Sequence, residues 1–256
     1  MSEQDWRGRG VLILGAASAI AEATARELAS QGASLALVAR DPARLNAIAA
    51  DLRVRGAPTV AVRALDLVET QPTEALLDDL AAEIGGLHGV LIAHGVLGDQ
   101  AQAEADAVEA ARLIDVNFTS AALWALVSAR HLERTCGHDG VVGAIGSVAG
   151  DRGRASNFVY GAAKAGIGVL MQGLSHRHAQ KGGPRAVVFK LGFVDTPMTA
   201  GIAKGGPLWA TPEQVGQVIA KGLSGSRAIV YGPWFWRFVM LIIRLLPQPL
   251  MNKVNL

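Results

Sequence analysis

Short apolar runs alternate with longer amphipathic stretches along almost the whole chain. Seven of the runs have the length of β-strands, and none alternates between apolar and polar positions as a strand with one solvated face would. Continuous apolar strands are typical of a parallel sheet that is covered on both faces. The runs span residues 10–14, 34–38, 60–62, 89–93, 141–145, 186–189 and 228–231.

The stretches between these runs have the apolar spacing of amphipathic helices. The alternation predicts an α/β fold, a single Rossmann-like domain whose doubly wound parallel sheet of about seven strands carries helices on both faces. No linker or repeat divides the chain, so we assign residues 1–232 to that domain and residues 233–256 to an apolar and basic C-terminal tail with its own helix. The other helices are predicted at 20–31, 42–53, 71–84, in two segments of 103–134, at 159–180 and at 212–223.

The first turn from strand to helix reads GAASAIA over residues 15–21. In a doubly wound sheet this turn binds the pyrophosphate of a dinucleotide against the free N–H groups of the helix. Gly15 allows the sharp turn, but alanines stand at 19 and 21 where glycines are usual, so an ordinary turn fits equally well. The dinucleotide interpretation makes Gly15, Ser18 and Ile20 cofactor contacts.

The ends of the second and third strands bear on the identity of the dinucleotide. Arg40 stands where an acidic residue would hold the ribose 2′-hydroxyl of NAD, and a guanidinium can neutralise a 2′-phosphate. We therefore predict NADP(H) rather than NAD(H), although the neighbouring Asp41 favours the alternative that Arg40 is a solvated surface charge. Asp66 either contacts the adenine amino group or is a turn residue.

Composition excludes several classes of protein. With 50% hydrophobic and 18% charged residues among 256, the chain is too apolar to be disordered. A net charge of +2 is too small for a nucleic-acid-binding protein. Cys136 is the only cysteine, which excludes a disulfide framework and a multi-cysteine metal site, and we predict no metal. The N-terminus is acidic and lacks the apolar core of a signal peptide, so we expect a cytoplasmic protein.

Four polar residues form a candidate catalytic set. Tyr160 and Lys164 are four residues apart and share one helix face. An ammonium group there is expected to lower the tyrosine pKa toward that of a general acid for carbonyl reduction. Ser147 follows the fifth strand, at the sheet edge where open α/β sheets bind ligands. Asn117, in a helical region, could as a buried amide hold a water that relays protons to the lysine.

This set resembles the catalytic tetrad of the short-chain dehydrogenase/reductase family, and the resemblance extends over about residues 8–232. It implies hydride transfer between the nicotinamide and a carbonyl or alcohol carbon. Ser147 would bind the substrate oxygen, Tyr160 would exchange its proton and Asn117 would support the relay. Lys164 would lower the pKa of Tyr160 and hold the nicotinamide ribose. Members are commonly dimers or tetramers, so a homo-oligomer is implied.

The resemblance also implies further cofactor contacts, namely Gly95, Val194 and Thr196 together with Tyr160 and Lys164. The chain departs from the family pattern at residues 92–95, which read IAHG, and at Leu191, where proline is usual. His94 in the first of these segments is read as an acid–base residue or, more commonly for a lone histidine, as a structural one.

The tail contains a 13-residue apolar stretch, 234–246, that is interrupted by Arg237 and Arg244. It is shorter than the roughly 20 residues that span a bilayer. Tryptophans and arginines suit a helix lying on a membrane surface, here the inner face of the cytoplasmic membrane. The alternative is a helix buried in an oligomer interface or the core.

Details of the chain are most similar to polyprenyl-phosphate 2-keto-erythro-pentose reductases, of the decaprenylphosphoryl-arabinose pathway in polysaccharide biosynthesis. The similar segments are 91–95, 157–166, 192–194 and the tail from Arg244. They imply a lipid-linked keto-sugar substrate and a flavin-dependent oxidase partner that makes it. Arg152 and Arg154 then either bind an anionic group such as a phosphate or are solvated loop residues. The alternatives are a reductase of a free hydrophobic ketone or 3-oxoacyl thioester, and a non-catalytic nucleotide-binding membrane scaffold.

Overall fold

All seven strands predicted from the apolar runs form in the computed structural model, which describes residues 5–253. The first four residues and the last three, which end the predicted tail, lie outside the described part. The nine strands are β1 Gly10–Leu14, β2 Ser34–Ala39, β3 Val60–Ala64, β4 Gly89–Ile92, β5 Val141–Ser147, β6 Arg185–Leu191, β7 Phe193–Val194, β8 Trp209–Ala210 and β9 Ile229–Gly232.

The main sheet has seven parallel strands in the order β3-β2-β1-β4-β5-β6-β9. The chain leaves β1 toward one edge of the sheet and returns to β4 on its other side, so the strand order reverses between β1 and β4. Such a reversal opens a crevice at the carboxyl ends of the strands, where α/β proteins bind ligands. β7 and β8 form a separate two-stranded pair beyond the end of β6, which the apolar pattern did not predict.

Helices connect the strands, and side-chain caps begin several of them. Ser18, Asp41, Thr73 and Thr211 each accept a backbone N–H of the helix that follows. Such caps satisfy donors that the first helical turn leaves free. The helices are α1 Ala19–Ser30, α2 Pro42–Val54, α3 Glu74–Glu83, α4 Gln100–Ala105, α5 Ala107–Ile114, α6 Ser120–Thr135, α7 Phe158–Lys181, α8 Pro212–Ser224, α9 Trp236–Leu245 and α10 Gln248–Met251.

The core lies in two layers, one on each face of the sheet. Val11 and Ile13 of β1 pack in a layer with α1, α2 and α8. Leu12 and Leu14 face the other way, into a layer with α3, α6 and α7. Alternate residues of one strand therefore serve both layers, which is why the strand reads as a continuous apolar run. The predicted Rossmann-like α/β fold, with helices on both faces, is confirmed.

The predicted apolar C-terminal helix is α9. Its buried side is formed by Trp236, Met240 and Ile243, which pack against Val148 beside the carboxyl end of β5. Arg152 fastens the end of this helix: Nη1 donates to the Arg244 carbonyl at 3.1 Å, and Nη2 to Gln248 Oε1 at 2.9 Å. Arg152 is therefore engaged at the surface by the C-terminal segment, which favours the loop interpretation over an anion ligand.

A second apolar helical stretch, Ala107–Thr135, is long and apolar enough to cross a membrane by length and composition alone. It comprises α5, α6 and the turn between them. Core helices of soluble proteins pass the same test, and Trp124 in this stretch is fully buried, with its Nε1 donating to the Leu67 carbonyl at 3.0 Å.

Candidate active site

A cavity of about 670 Å³ opens at the carboxyl ends of β1, β4, β5 and β6, where the strand order reverses. Most residues singled out from the sequence lie in its wall. Gly15 does not line the cavity but packs against His94, just after the end of β4. Arg40 and Asp66 are also outside the cavity lining. The nine predicted residues that line the cavity are Ser18, Ile20, Gly95, Asn117, Ser147, Tyr160, Lys164, Val194 and Thr196.

Asn117 lies in a π-helical turn, Asp115–Thr119, between α5 and α6. Its side chain is fully buried, and Nδ2 donates to the carbonyls of Val96 and Leu113 at 2.8 and 2.9 Å. Oδ1 accepts the Val96 N–H at 3.2 Å. Both amide hydrogens are therefore engaged, and a relay water could be held by the side chain only through Oδ1. Single π-turns inside helices are frequent at functional sites.

Tyr160 and Ser147 come together at the end of β5 although they belong to different elements. Burial raises the pKa of Tyr160, and the Ser147 hydroxyl and the charge of Arg154 lower it by less. Ser147 Oγ accepts the Ala149 N–H at 3.1 Å, and its hydroxyl group also interacts with the Tyr160 hydroxyl. The two hydroxyl groups thus face one cavity, as the proposed chemistry requires.

Lys164 is buried at 6% exposure, and its Nζ donates to the Ile145 carbonyl at 3.1 Å. The ammonium is 5.8 Å from the centre of the Tyr160 ring. Burial lowers the Lys164 pKa to about 8, which leaves it mainly charged at pH 7. The prediction that Lys164 lowers the pKa of Tyr160 is wrong for the protein alone. Desolvation raises the Tyr160 pKa by more than all other effects lower it, and the only charge that lowers it is that of Arg154.

Arg154 also lines the cavity, and sequence reasoning left it undecided between a ligand contact and a solvated side chain. The structure places it half-buried beside Tyr160 in the wall. Its Nε is buried without a hydrogen-bond partner, and so is Oδ1 of the neighbouring Asn157. Burial lowers the Arg154 pKa, while the nearby Tyr160 and Asp151 raise it.

The turn after β1 fits a dinucleotide phosphate. Gly15 has a φ of +83°, and a Cβ there would lie 2.6 Å from the His94 nitrogen. Ser18 Oγ caps α1 by accepting the Ala21 N–H at 3.2 Å, and residues 17–20 line the cavity. The start of α1 therefore directs its dipole and free N–H groups toward the cavity, which favours an anion there.

Gly95 lines the cavity where the backbone packs closely against two candidate catalytic side chains. A Cβ at this position would lie 2.8 Å from Asn117 Oδ1 and 3.2 Å from Lys164 Nζ. A side chain would therefore disturb two of the four candidate catalytic residues.

His94 has a structural role in this arrangement. Burial and the charge of Lys164 lower its pKa to about 4. Its Nε2 lies 3.1 Å from Ser120 Oγ, and that hydroxyl donates to the Leu67 carbonyl at 2.6 Å. Because the hydroxyl hydrogen of Ser120 is directed at Leu67, the hydrogen between the two side chains must be on His94 Nε2. The neutral ring is therefore the Nε2–H tautomer. The structural interpretation is favoured over an acid–base role.

Arg40 and Asp66 lie near each other at the surface. The Arg40 side chain is 81% exposed, and its Nη1 is 3.8 Å from Asp66 Oδ2. Asp66 Oδ1 accepts the Val68 N–H at 2.9 Å, which is the turn role considered above. Asp41 Oδ1 accepts two N–H groups of α2 at 2.9 and 3.1 Å, so this carboxylate is engaged as a helix cap.

The segment that follows β6 has contacts that the sequence did not predict. Thr199 Oγ1 donates to the Val194 carbonyl at 2.7 Å and accepts the Thr196 N–H at 3.1 Å, which holds the predicted nicotinamide segment in place. Phe193 stacks on Trp209 with ring centres 5.3 Å apart and meets Trp236 edge-on at 5.7 Å. These aromatic residues are far apart in the chain, so no local pattern could have paired them.

Comparisons with known proteins agree with this geometry. Residues 9–206 match the short chain dehydrogenase family. An uncharacterised oxidoreductase of Mycobacterium tuberculosis is 37% identical over 239 residues, 93% of this chain and 94% of the relative. The cis-4-hydroxycyclohexanecarboxylate dehydrogenase of Sinomonas cyclohexanicum is 32% identical over 236 residues, 88% of this chain and 92% of the relative. A short chain dehydrogenase/reductase of Burkholderia phymatum, crystallised with NAD, shares the fold with a TM-score of 0.80 at 22% identity, covering 93% of this chain and 94% of that one.

The family match covers most of the chain, and all four residues of the candidate tetrad fall inside it. Proteins of this family are oxidoreductases that bind a nicotinamide dinucleotide. The turn at Gly15 and the start of α1 suit that ligand. The chain therefore belongs to the short-chain dehydrogenase/reductase family.

Proposed function

We propose that the protein is an NADP(H)-dependent carbonyl reductase that interconverts a ring ketone and its secondary alcohol. The observation that carries this proposal is the meeting of Ser147, Tyr160 and Lys164, with the buried Asn117, in one cavity wall. A serine and a protonated tyrosine beside an open space can bind and protonate a carbonyl oxygen. A scaffold that only binds nucleotide would need none of these groups.

The bound dinucleotide supplies the hydride for reduction and accepts it in the reverse direction. Ser147 donates its hydroxyl hydrogen to the substrate oxygen and so holds it. Tyr160, whose pKa is raised by burial, keeps its proton at neutral pH and donates it to the same oxygen as the carbonyl is reduced. Lys164 keeps a positive charge beside the Tyr160 ring. Asn117 positions the backbone at Gly95, which faces the Lys164 ammonium.

Substitution of Tyr160 tests the proposal. Tyr160→Phe removes only the hydroxyl group, so turnover of cyclic ketones should fall by about 10²–10⁴-fold, the size of a general-acid contribution. NADPH binding, measured by nucleotide fluorescence, should be retained. Tyr231→Phe makes the same chemical change at a tyrosine whose hydroxyl donates to Asp151, and it should keep turnover within a few-fold. Normal turnover by the Tyr160 variant would contradict the proposed role.

The preference for NADP(H) over NAD(H) rests on Arg40. Its guanidinium is exposed at the end of β2 and can turn toward a 2′-phosphate, while the neighbouring Asp41 carboxylate is engaged in the α2 cap. Arg40→Asp should therefore shift the ratio of kcat/KM for NADPH over NADH by at least about tenfold toward NADH, as a lost charge-assisted contact would. An unchanged ratio would refute this part of the proposal.

Two observations bear on the substrate. The relative of Sinomonas cyclohexanicum is named for a cyclohexane ring that carries a hydroxyl and a carboxylate, which supports a free ring hydroxy acid. The exposed side of α9 supports the other candidate, a keto-sugar linked to polyprenyl phosphate. A flavin-dependent oxidase would supply that keto-sugar from the alcohol. In both candidates the reacting ring carries an anion.

The exposed side of α9 suits an anionic lipid surface at the inner face of the cytoplasmic membrane. Trp234, Phe238, Leu241 and Leu245 follow one another at helical spacing, and Trp234 and Leu245 are 72% and 73% exposed. The flanking cations are the exposed Arg237 and Arg244, and no acidic residue occurs between 233 and 253. Apolar and aromatic groups bordered by arginines are typical of interfacial helices.

Liposome sedimentation tests this placement. The wild-type protein should bind vesicles containing phosphatidylglycerol and bind much less to neutral phosphatidylcholine vesicles. The double variant Phe238→Ser/Leu241→Ser should lose binding and remain folded, since both side chains point outward. If the double variant instead converts an oligomer into monomers without a change in vesicle binding, the helix face is a contact between subunits.

A further inference from the structure

The cavity wall contains a positive charge that the proposed proton transfer does not use. Arg154 lies in a short segment after β5 and lines the cavity together with Asn157 and Tyr160. Its Nε is buried and has no hydrogen-bond partner, and Oδ1 of Asn157 is in the same condition. Buried polar groups are nearly always paired in folded proteins, and this unpaired donor and acceptor belong to two residues that line the same cavity.

The acidic residues around Arg154 are engaged elsewhere. Asp151 accepts the Tyr231 hydroxyl at 2.7 Å and forms an ion pair with Lys190. Asp99, another cavity residue, caps α4 by accepting the Gln102 N–H at 2.9 Å. Among the ion pairs found within residues 5–253, none includes Arg154. Asp151 therefore acts on the Arg154 charge only from a distance, and an anionic ligand in the cavity would supply the direct partner that the guanidinium lacks among residues 5–253.

We propose that Arg154 binds an oxyanion of the substrate, a carboxylate or a phosphate, and so determines which ring compounds the protein accepts. The inference rests on the proposed function, because it places the anion in the same cavity as the reacting carbonyl. A guanidinium presents coplanar N–H donors that match two oxygens of such a group. Asn157 Oδ1 beside it accepts a hydrogen bond from a hydroxyl group of the same substrate.

A different role for Arg154 leads to a different result. Its charge lowers the pKa of Tyr160, against the larger effect of burial. If Arg154 acted only through Tyr160, its loss would slow the reduction of neutral and anionic substrates equally. If Arg154 binds the substrate, the loss falls on anionic substrates. Comparison of matched charged and neutral substrates separates the two roles.

Turnover is measured with 4-oxocyclohexanecarboxylate and with its neutral methyl ester, with NADPH present. In Arg154→Met, kcat/KM for the carboxylate should fall by about 10–100-fold, as expected for a lost charge-assisted hydrogen bond, and that for the ester by less than about threefold. Arg152→Met removes the same charge from the same segment at a residue outside the cavity lining, and it should keep the preference for the carboxylate. Equal losses for the two substrates in Arg154→Met would overturn the proposal.

A binding measurement keeps the inference separate from the proposed reaction. Saturation-transfer NMR compares cyclohexanecarboxylate, cyclohexyl phosphate and neutral cyclohexanecarboxamide on the wild-type protein and on Arg154→Met. The wild-type protein should bind at least one anion about tenfold more tightly than the amide, and the variant should lose this preference. Tighter binding of cyclohexanecarboxylate would indicate a free carboxylic acid as substrate, and tighter binding of cyclohexyl phosphate would indicate a lipid phosphate. No preference for either anion over the amide in the wild-type protein refutes the inference, whatever the result with Tyr160→Phe.

Discussion

The burial of Lys164 predicts a pH-dependent cost to stability. The Lys164 ammonium is enclosed at 6% exposure, and burial lowers its pKa from 10.5 in the unfolded chain to about 8. Below pH 8 both states are protonated, and the folded protein bears the full cost of the buried charge, about 3 kcal/mol. Between pH 8 and 10.5 the folded state loses the proton while the unfolded state keeps it. Stability therefore rises with pH in this window.

The variant Lys164→Met removes the titrating group while it keeps most of the side-chain volume. From pH 7 to 9.5 the wild-type protein should gain about 2 kcal/mol of unfolding free energy that the variant does not gain. The hydrogen bond from Nζ to the Ile145 carbonyl is also lost in the variant, but that loss shifts its stability similarly at both pH values. Comparison of the two proteins at each pH removes the contribution of all other titrating groups.

Urea unfolding followed by circular dichroism, at pH 7 and at pH 9.5, measures the effect. The difference in unfolding free energy between wild type and variant should change by about 2 kcal/mol in favour of the wild type at the higher pH. If the difference is the same at the two pH values, the charge of Lys164 is not desolvated and the reasoning is wrong.

Three further predictions concern residues in and around the cavity. Gly173→Ala, on an open face of α7, should raise the unfolding free energy by about 1 kcal/mol. Gly161→Ala in the same helix should lower the unfolding free energy by about 1–3 kcal/mol, because the added methyl group would lie 2.9 Å from a carbonyl oxygen. Urea unfolding that shows the same sign at both sites would contradict this. His94, with a pKa near 4, should show no NMR titration between about pH 5.5 and 8; a midpoint near 6.5 would refute its burial. Gly192→Ala should displace Trp236, because the added methyl group would overlap the tryptophan ring, and limited proteolysis should then cleave the C-terminal helix more readily. Cleavage no faster than in Gly173→Ala would contradict that packing.

The strands and the tetrad could be predicted because the signals are local. A strand that is covered on both faces reads as one apolar run, as β1 does, and parallel strands end at a common edge. The i,i+4 spacing of Tyr160 and Lys164 sets their shared helix face, and Ser147 is the last residue of β5. The direction of each element therefore placed the candidate residues in one region before any packing was known.

The electrostatic character of the site was decided by packing between distant segments. Whether Lys164 lowers the pKa of Tyr160 depends on how deeply both are buried, and desolvation reverses the sign expected from their spacing. The unpaired state of Arg154 depends on Asp151 being engaged by Lys190 and Tyr231, residues about 40 and 80 positions away.

The sequence by itself determined the parallel sheet, the glycine turn after β1 and the candidate reactive groups, because periodicity and spacing act over a few residues. Only the tertiary structure decided that α9 packs against Val148, that His94 is neutral and that Arg154 faces the substrate cavity. Burial and pairing arise when segments far apart in the chain meet, and desolvation energy depends on all the neighbours of a group at once.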